Sequence, residues 1–125
     1  MDNIIPVIQA VLGFLFTLGG IAKLFIPYAR YTTMPFVGWS KEFTPTQLRL
    51  LGVVETIGGL GVLVPLFVPS LTAFVPLAAI GVALYMAGAM ATHFRRSEYF
   101  HMVGNLMVFL VPALAVAYGR LVGFV

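Results

Sequence analysis

Apolar residues fill four long stretches of this chain, and polar positions gather mainly in the gaps between them. The first stretch covers residues 4–26. At 1.5 Å per residue a helix of that length crosses a hydrocarbon layer of roughly 30 Å, and Pro27 ends it. The other three predicted helices cover about residues 45–67, 71–94 and 98–118. The pattern predicts an all-α fold: one integral membrane domain over residues 1–125, a four-helix bundle with an interfacial or re-entrant loop between its first and second helices.

Local signals place the joints. Thr44, Pro45, Thr46 and Gln47 supply a cap hydroxyl, a first-turn proline and a capping-box glutamine in order. Val68, Pro69 and Ser70 form an uncharged tight hairpin, and Pro76 falls near the first turn of the third helix, where a missing amide donor does least harm. Beyond Arg95 and Arg96, Ser97 is placed to cap the fourth helix, with Glu98 at its positive end. Pro112 is expected to kink that helix.

Composition turns this pattern into a solvent assignment. The chain is 61% apolar and 9% charged, whereas soluble domains carry about 25% charged residues, so its surface is solvated by lipid. It has no cysteine, which excludes thiol relays, disulfide exchange and thiolate metal sites. The net charge of +3 comes from basic residues at helix ends and in loops, a membrane-orientation pattern rather than a nucleic-acid surface. Asp2 stands where a secretion signal has Lys or Arg, so the first run reads as a retained helix.

The 27–43 loop holds Tyr28, Tyr31, Phe36 and Trp39, the sole tryptophan. Such rings favour the headgroup region, which gives the loop at least an anchoring role. Lys23, Arg30, Lys41, Arg49, Arg95 and Arg96 fall on the loop side and Arg120 alone on the terminal side. The positive-inside bias then predicts a multi-pass protein of the cell membrane with cytoplasmic loops and both termini outside the cytoplasm.

Within the spans, Glu55 is the strongest functional pointer. A carboxylate inside hydrocarbon costs roughly 2.5 to 3.5 kcal/mol on insertion scales and needs a partner, a proton or a cavity. Gly52, Glu55 and Gly59 share a helical face, which makes that face an interhelical seam. Lys23, one turn from the end of the first helix, either snorkels to the loop side or turns inward to meet Glu55. His93 shares a face with Met86 and Met90, and His101, Asn105, Val108 and Pro112 align on the fourth helix. Depth bookkeeping brings Lys23, Arg49, Glu55, His93 and Asn105 within two or three turns of one surface. They form a candidate ligand- or partner-binding polar cluster under the loop, with Arg95, His101 and Trp39 as secondary members. A network that only fixes helix packing accounts for the same residues. No spacing of His93, Glu98 and His101 matches a known metal site, and no nucleophile, nucleotide loop or catalytic set is readable.

Four segments together resemble the DoxX-like membrane proteins: Gly20-Ile-Ala-Lys23-Leu24 closing the first helix, Arg49-Leu-Leu-Gly52-Val-Val-Glu55-Thr-Ile-Gly58 opening the second, Met86 to His93 with Arg95 following, and Asn105 in the fourth. The resemblance implies a four-helix bundle and an association with membrane oxidoreductase assemblies, among them thiosulfate:quinone oxidoreductase subunits and a complex tied to oxidative-stress defence. A similar animal protein is a receptor-assembly chaperone. Cysteine pairs of some oxidoreductase relatives are absent here. The first expectation is therefore a non-catalytic accessory subunit that binds a quinone or another lipophile and docks to a partner membrane enzyme. The second is an assembly chaperone using Gly58, Gly59 and Gly61 to hold client helices, and the third a proton-coupled transporter, for which a carboxylate paired with Lys23 is poorly suited. Glycine-rich faces also suit self-association.

Overall fold

The computed structural model describes residues 4–122, and Asp2 lies outside them. Among these described residues six α-helices occur in order: α1 Ile4–Phe25, α2 Tyr28–Tyr31, α3 Pro45–Leu63, α4 Val75–Arg95, α5 Tyr99–Asn105 and α6 Val111–Leu121. Turns of 3-10 helix at Gly38–Glu42, Val64–Leu66 and Pro69–Phe74, and a π-helical turn at Leu106–Leu110, extend or join them. The result is four spans long and apolar enough to cross a membrane, Ile4–Phe25, Pro45–Leu66, Pro69–Arg95 and Tyr99–Leu121. No strand occurs among the described residues. The chain is a multi-pass, all-α membrane protein.

Large apolar side chains such as Phe14, Ile57, Leu84 and Leu114 face outward, where lipid solvates them as well as a protein interior would. Helix association therefore depends on close packing. Gly13 and Gly20 of α1 meet Gly52 and Gly59 of α3 along one seam. A Cβ on Gly52 would lie 2.9 Å from the Gly20 carbonyl oxygen, and one on Gly13 2.8 Å from Leu63 Cβ. Inside, Leu12, Phe16, Val62, Val75, Val82 and Val116 form the apolar core. Phe16 meets Tyr85 edge-on at 5.2 Å and Phe109 at 5.9 Å between ring centroids.

The start of α3 is as expected: the Gln47 amide donates to Thr44 Oγ1 at 3.1 Å, and the Thr44 amide donates to Gln47 Oε1 at 2.9 Å. Pro76 lies in the first turn of α4. The hairpin after α3 is helical on both sides, with 3-10 turns flanking Phe67 and Val68.

Two expectations about the fourth span are corrected. Ser97 does not cap it: with φ at 60° it ends α4 instead. The Ser97 amide donates to the Phe94 carbonyl at 3.0 Å and the Glu98 amide to the His93 carbonyl at 2.8 Å, the paired bonds of a Schellman stop. The helix then starts from Glu98 without a side-chain cap. Pro112 has no amide hydrogen for the Val108 carbonyl and its ring crowds that oxygen. The chain accommodates it with the π-helical turn at Leu106–Leu110, whose extra residue shifts the register of the face. Val108, aligned in sequence with His101 and Asn105, is consequently 47% exposed, and Phe109 points inward.

At the opposite end of the bundle, Arg120 Nε donates to Gln9 Oε1 at 2.9 Å and Gln9 Nε2 to the Val62 carbonyl at 2.7 Å. This tie joins α6, α1 and α3. Its residues were not joined by sequence reasoning, because neither Gln9 nor Arg120 has a partner nearby in the chain.

Candidate functional site

Lys23 turns inward. Its Nζ lies 2.6 Å from Glu55 Oε1, and both residues are buried. The same oxygen accepts the Tyr85 hydroxyl at 2.8 Å, so α1, α3 and α4 converge on one carboxylate. Glycine makes this possible: a Cβ on Gly19 would collide with Glu55 Oε2. Above the pair, Lys23 Nζ sits 5.4 Å from the Trp39 ring centre, a cation held against an aromatic face.

Arg49 has a different task. Its Nη1 donates to the carbonyl of Lys23, and to those of Leu24 at 2.8 Å and Ile26 at 2.9 Å. In an unbroken helix the Lys23 carbonyl would accept the amide of residue 27, and Pro27 has none. Arg49 thus closes the C-terminus of α1, where a cation also suits the helix dipole.

His93 is buried, and its Nδ1 lies 2.9 Å from Glu98 Oε1. Its ring stacks on His101 at 5.0 Å with 23° between planes and meets the edge of Trp39 at 6.2 Å. Phe36 reaches His101 at 6.1 Å. Lys23, Glu55, His93, His101, Asn105 and Trp39 all line one cavity of about 570 Å³, in the size range of small-molecule sites. Phe36 and Phe43 roof it, Tyr85, Met86 and Phe109 form its inner wall, and Leu84 and Gly88, both exposed, lie at its edge.

The structure therefore gathers four of the five residues named for the central cluster and two of the three secondary ones; Arg49 and Arg95 lie outside the cavity lining. Arg95 instead meets Glu42 Oε1 at 2.6 Å, beside an Arg96 contact to Glu42 Oε2 at 2.7 Å. Arg96 Nε also reaches Glu98 Oε1 at 3.1 Å. Hydrogen bonds from Arg95 and Arg96 hold the Glu42 carboxyl below the usual carboxylate range, and the bond to His93, with Arg96 beside it, does the same for Glu98. Burial pushes the Tyr31 phenol up. No group of three metal-ligating side chains occurs among the described residues.

Tyr85 was not singled out from sequence, although its spacing of seven to Thr92 and eight to His93 puts it on the same side of α4. Its hydroxyl was hidden in an apolar run, where an aromatic residue reads as core.

The cavity has paired charge, ring faces and spare hydrogen-bonding capacity. Lys23 is balanced by Glu55 at contact distance, and Asn105 offers both an acceptor and donors. That combination suits an amphiphile with a flat polar head and an apolar remainder. Among known proteins, the model of the DoxX-like family matches residues 7–116. No curated protein and no solved structure matches the chain.

Proposed function

This chain belongs to the DoxX-like family, and from that membership together with the cavity we propose that it is a non-catalytic accessory subunit. It holds a quinone-like or other lipophilic molecule and docks to a partner membrane oxidoreductase. The observation that carries the reading is the cavity of about 570 Å³ into which all four spans send side chains: Lys23 from α1, Glu55 from α3, Tyr85 and His93 from α4, and His101 and Asn105 from α5. A ligand carbonyl finds donors there in Lys23 and Asn105, and a flat ring finds Trp39, Phe36 and Phe43.

Purification in mild detergent followed by mass spectrometry tests this directly. The expected outcome is a co-purifying lipophile, and a change in Trp39 fluorescence when a short-chain quinone is added to delipidated protein. Absence of both overturns the ligand. A partner enzyme is expected in the same preparation after crosslinking.

The assembly-factor reading draws less support from α3 than its sequence suggested. Gly59 packs on Thr17, Gly58 faces Phe16 and Val82, and Gly61 faces Ala78, so these glycines are occupied within the bundle. For proton-coupled transport, Glu55 would have to leave both Lys23 and Tyr85.

A further inference from the structure

The 27–43 segment is built as a flap. Its two ends are joined where the Tyr28 hydroxyl donates to the Phe43 carbonyl, which makes a base over the ends of α1 and α3. From there it crosses the cavity, with Trp39 and Phe36 in the roof. It crosses to α4 and α5 through Glu42, beside the base, on Arg95 and Arg96, and through Phe36 and Trp39 against His101 and His93, while its Tyr31, Thr32 and Ser40 are buried. Phe36 is 77% exposed and sits at φ 68°, a left-handed conformation that a bulky residue adopts only under constraint. Backbone strain at Phe36 and the ion pairs at Glu42 thus fall in the same short segment over the cavity.

The ion pairs run further than the flap. Arg96 uses Nη1 on Glu42 and Nε on Glu98, and the Glu98 oxygen that accepts Arg96 also lies on His93 Nδ1 in the cavity wall. We propose that the 27–43 segment is a lid latched by Glu42 on Arg95 and Arg96, and that Glu98 couples this latch to His93 inside the cavity. The proposal goes beyond the accessory-subunit reading and does not depend on what the cavity holds. Glu98 orients the Arg96 guanidinium whose other edge meets Glu42, so a change in how His93 holds Glu98 reaches the latch, and opening the latch acts on His93 by the same route.

Trp39 reports the lid because it is the sole tryptophan and lies in the roof. The test is acrylamide quenching of Trp39 in full-length protein in nanodiscs without added ligand. Partly exposed ion pairs are individually weak and screened by salt, so loss of the double bridge is expected to raise quenching about fivefold. Glu42→Gln gives that rise, and 1 M salt, on the order of ten times the screening of dilute buffer, raises quenching of the wild type but not of the variant. Lys41→Gln, which removes a neighbouring exposed charge, changes nothing. Glu98→Gln also raises quenching, although the hydrogen bonds of the Glu98 carboxylate go to His93 and Arg96, and the Glu42→Gln, Glu98→Gln double variant is quenched no more than Glu42→Gln alone. Wild-type quenching in Glu42→Gln overturns the latch. An unchanged Glu98→Gln, or additive effects in the double variant, overturns the coupling. Matching helical circular dichroism between variants ensures that a rise reads lid opening, and a rise equal in Lys41→Gln and Glu42→Gln also overturns the latch.

Discussion

At the scale of single residues, the bundle depends on one buried carboxylate being partnered. Glu55 receives Lys23 and Tyr85 at the same oxygen, and buried ion pairs are costly to break by halves because the orphaned charge stays in a low-dielectric interior. Glu55→Gln or Lys23→Met alone is expected to lower stability by roughly 3 kcal/mol. Exchanging both for apolar residues of similar volume costs less than either alone. Tyr85→Phe removes one hydrogen bond and costs about 1 kcal/mol. Thermal unfolding in a single detergent checks all four variants, and a double variant less stable than both single ones shows that the pair is net stabilising in itself.

At the scale of elements, the seam between α1 and α3 is set by backbone proximity. Gly59→Val puts a Cβ 2.9 Å from the Thr17 Cα; backbone cannot yield as a side-chain tip does, so a loss of about 2 to 3 kcal/mol is expected. Gly81→Ala or Gly104→Ala, where nothing lies within 4 Å of the added carbon, leaves stability unchanged or slightly raised through helix propensity. The four spans, the Thr44 capping box and the shared face of Gly52, Glu55 and Gly59 were legible in the sequence because each follows from period or from local capping chemistry. The Ser97 stop and the inward turn of Phe109 were not. Ser97 serves either as an N-cap by residue type or as a left-handed stop by its carbonyl partners, and only the position of His93 and Phe94 decides. Phe109 replaces Val108 on the inner face because a π-turn changes the period that sequence reading assumes constant. In the site, depth along the helices brought Lys23, Glu55, His93 and Asn105 to one level, but depth carries no azimuth. Arg49 at the same level was therefore indistinguishable from them, although the donor missing at Pro27 was the clue to its role.

At the scale of the whole molecule, charge divides the protein into two unlike ends. On the loop side, Glu42 and Glu98 are held below the usual carboxylate range by Arg95, Arg96 and His93. A carboxylate lowered in the folded state stabilises above its unfolded value and loses that contribution as pH falls through the folded one. The Glu42 bridge is therefore expected to persist through the ordinary carboxylate range and to be lost only in stronger acid, which adds an acid limb to Trp39 quenching. Glu42→Gln, already open, loses this acid limb; if the limb persists in the variant, Glu42 is not its source. The terminal side has Arg120 tied to Gln9, so its single basic residue serves packing between spans. Arg30 and Lys41 on the loop side are exposed and placed to meet anionic lipid, and Arg95 is exposed beside Glu42. That asymmetry supports cytoplasmic loops and external termini, which would set the lid and the polar end of the cavity at the cytoplasmic headgroups. Epitope tags at either terminus should then be labelled on intact cells, whereas a cysteine placed at Lys41 should react only after the membrane is made permeable. The opposite pattern reverses the topology and moves the lid to the outer face.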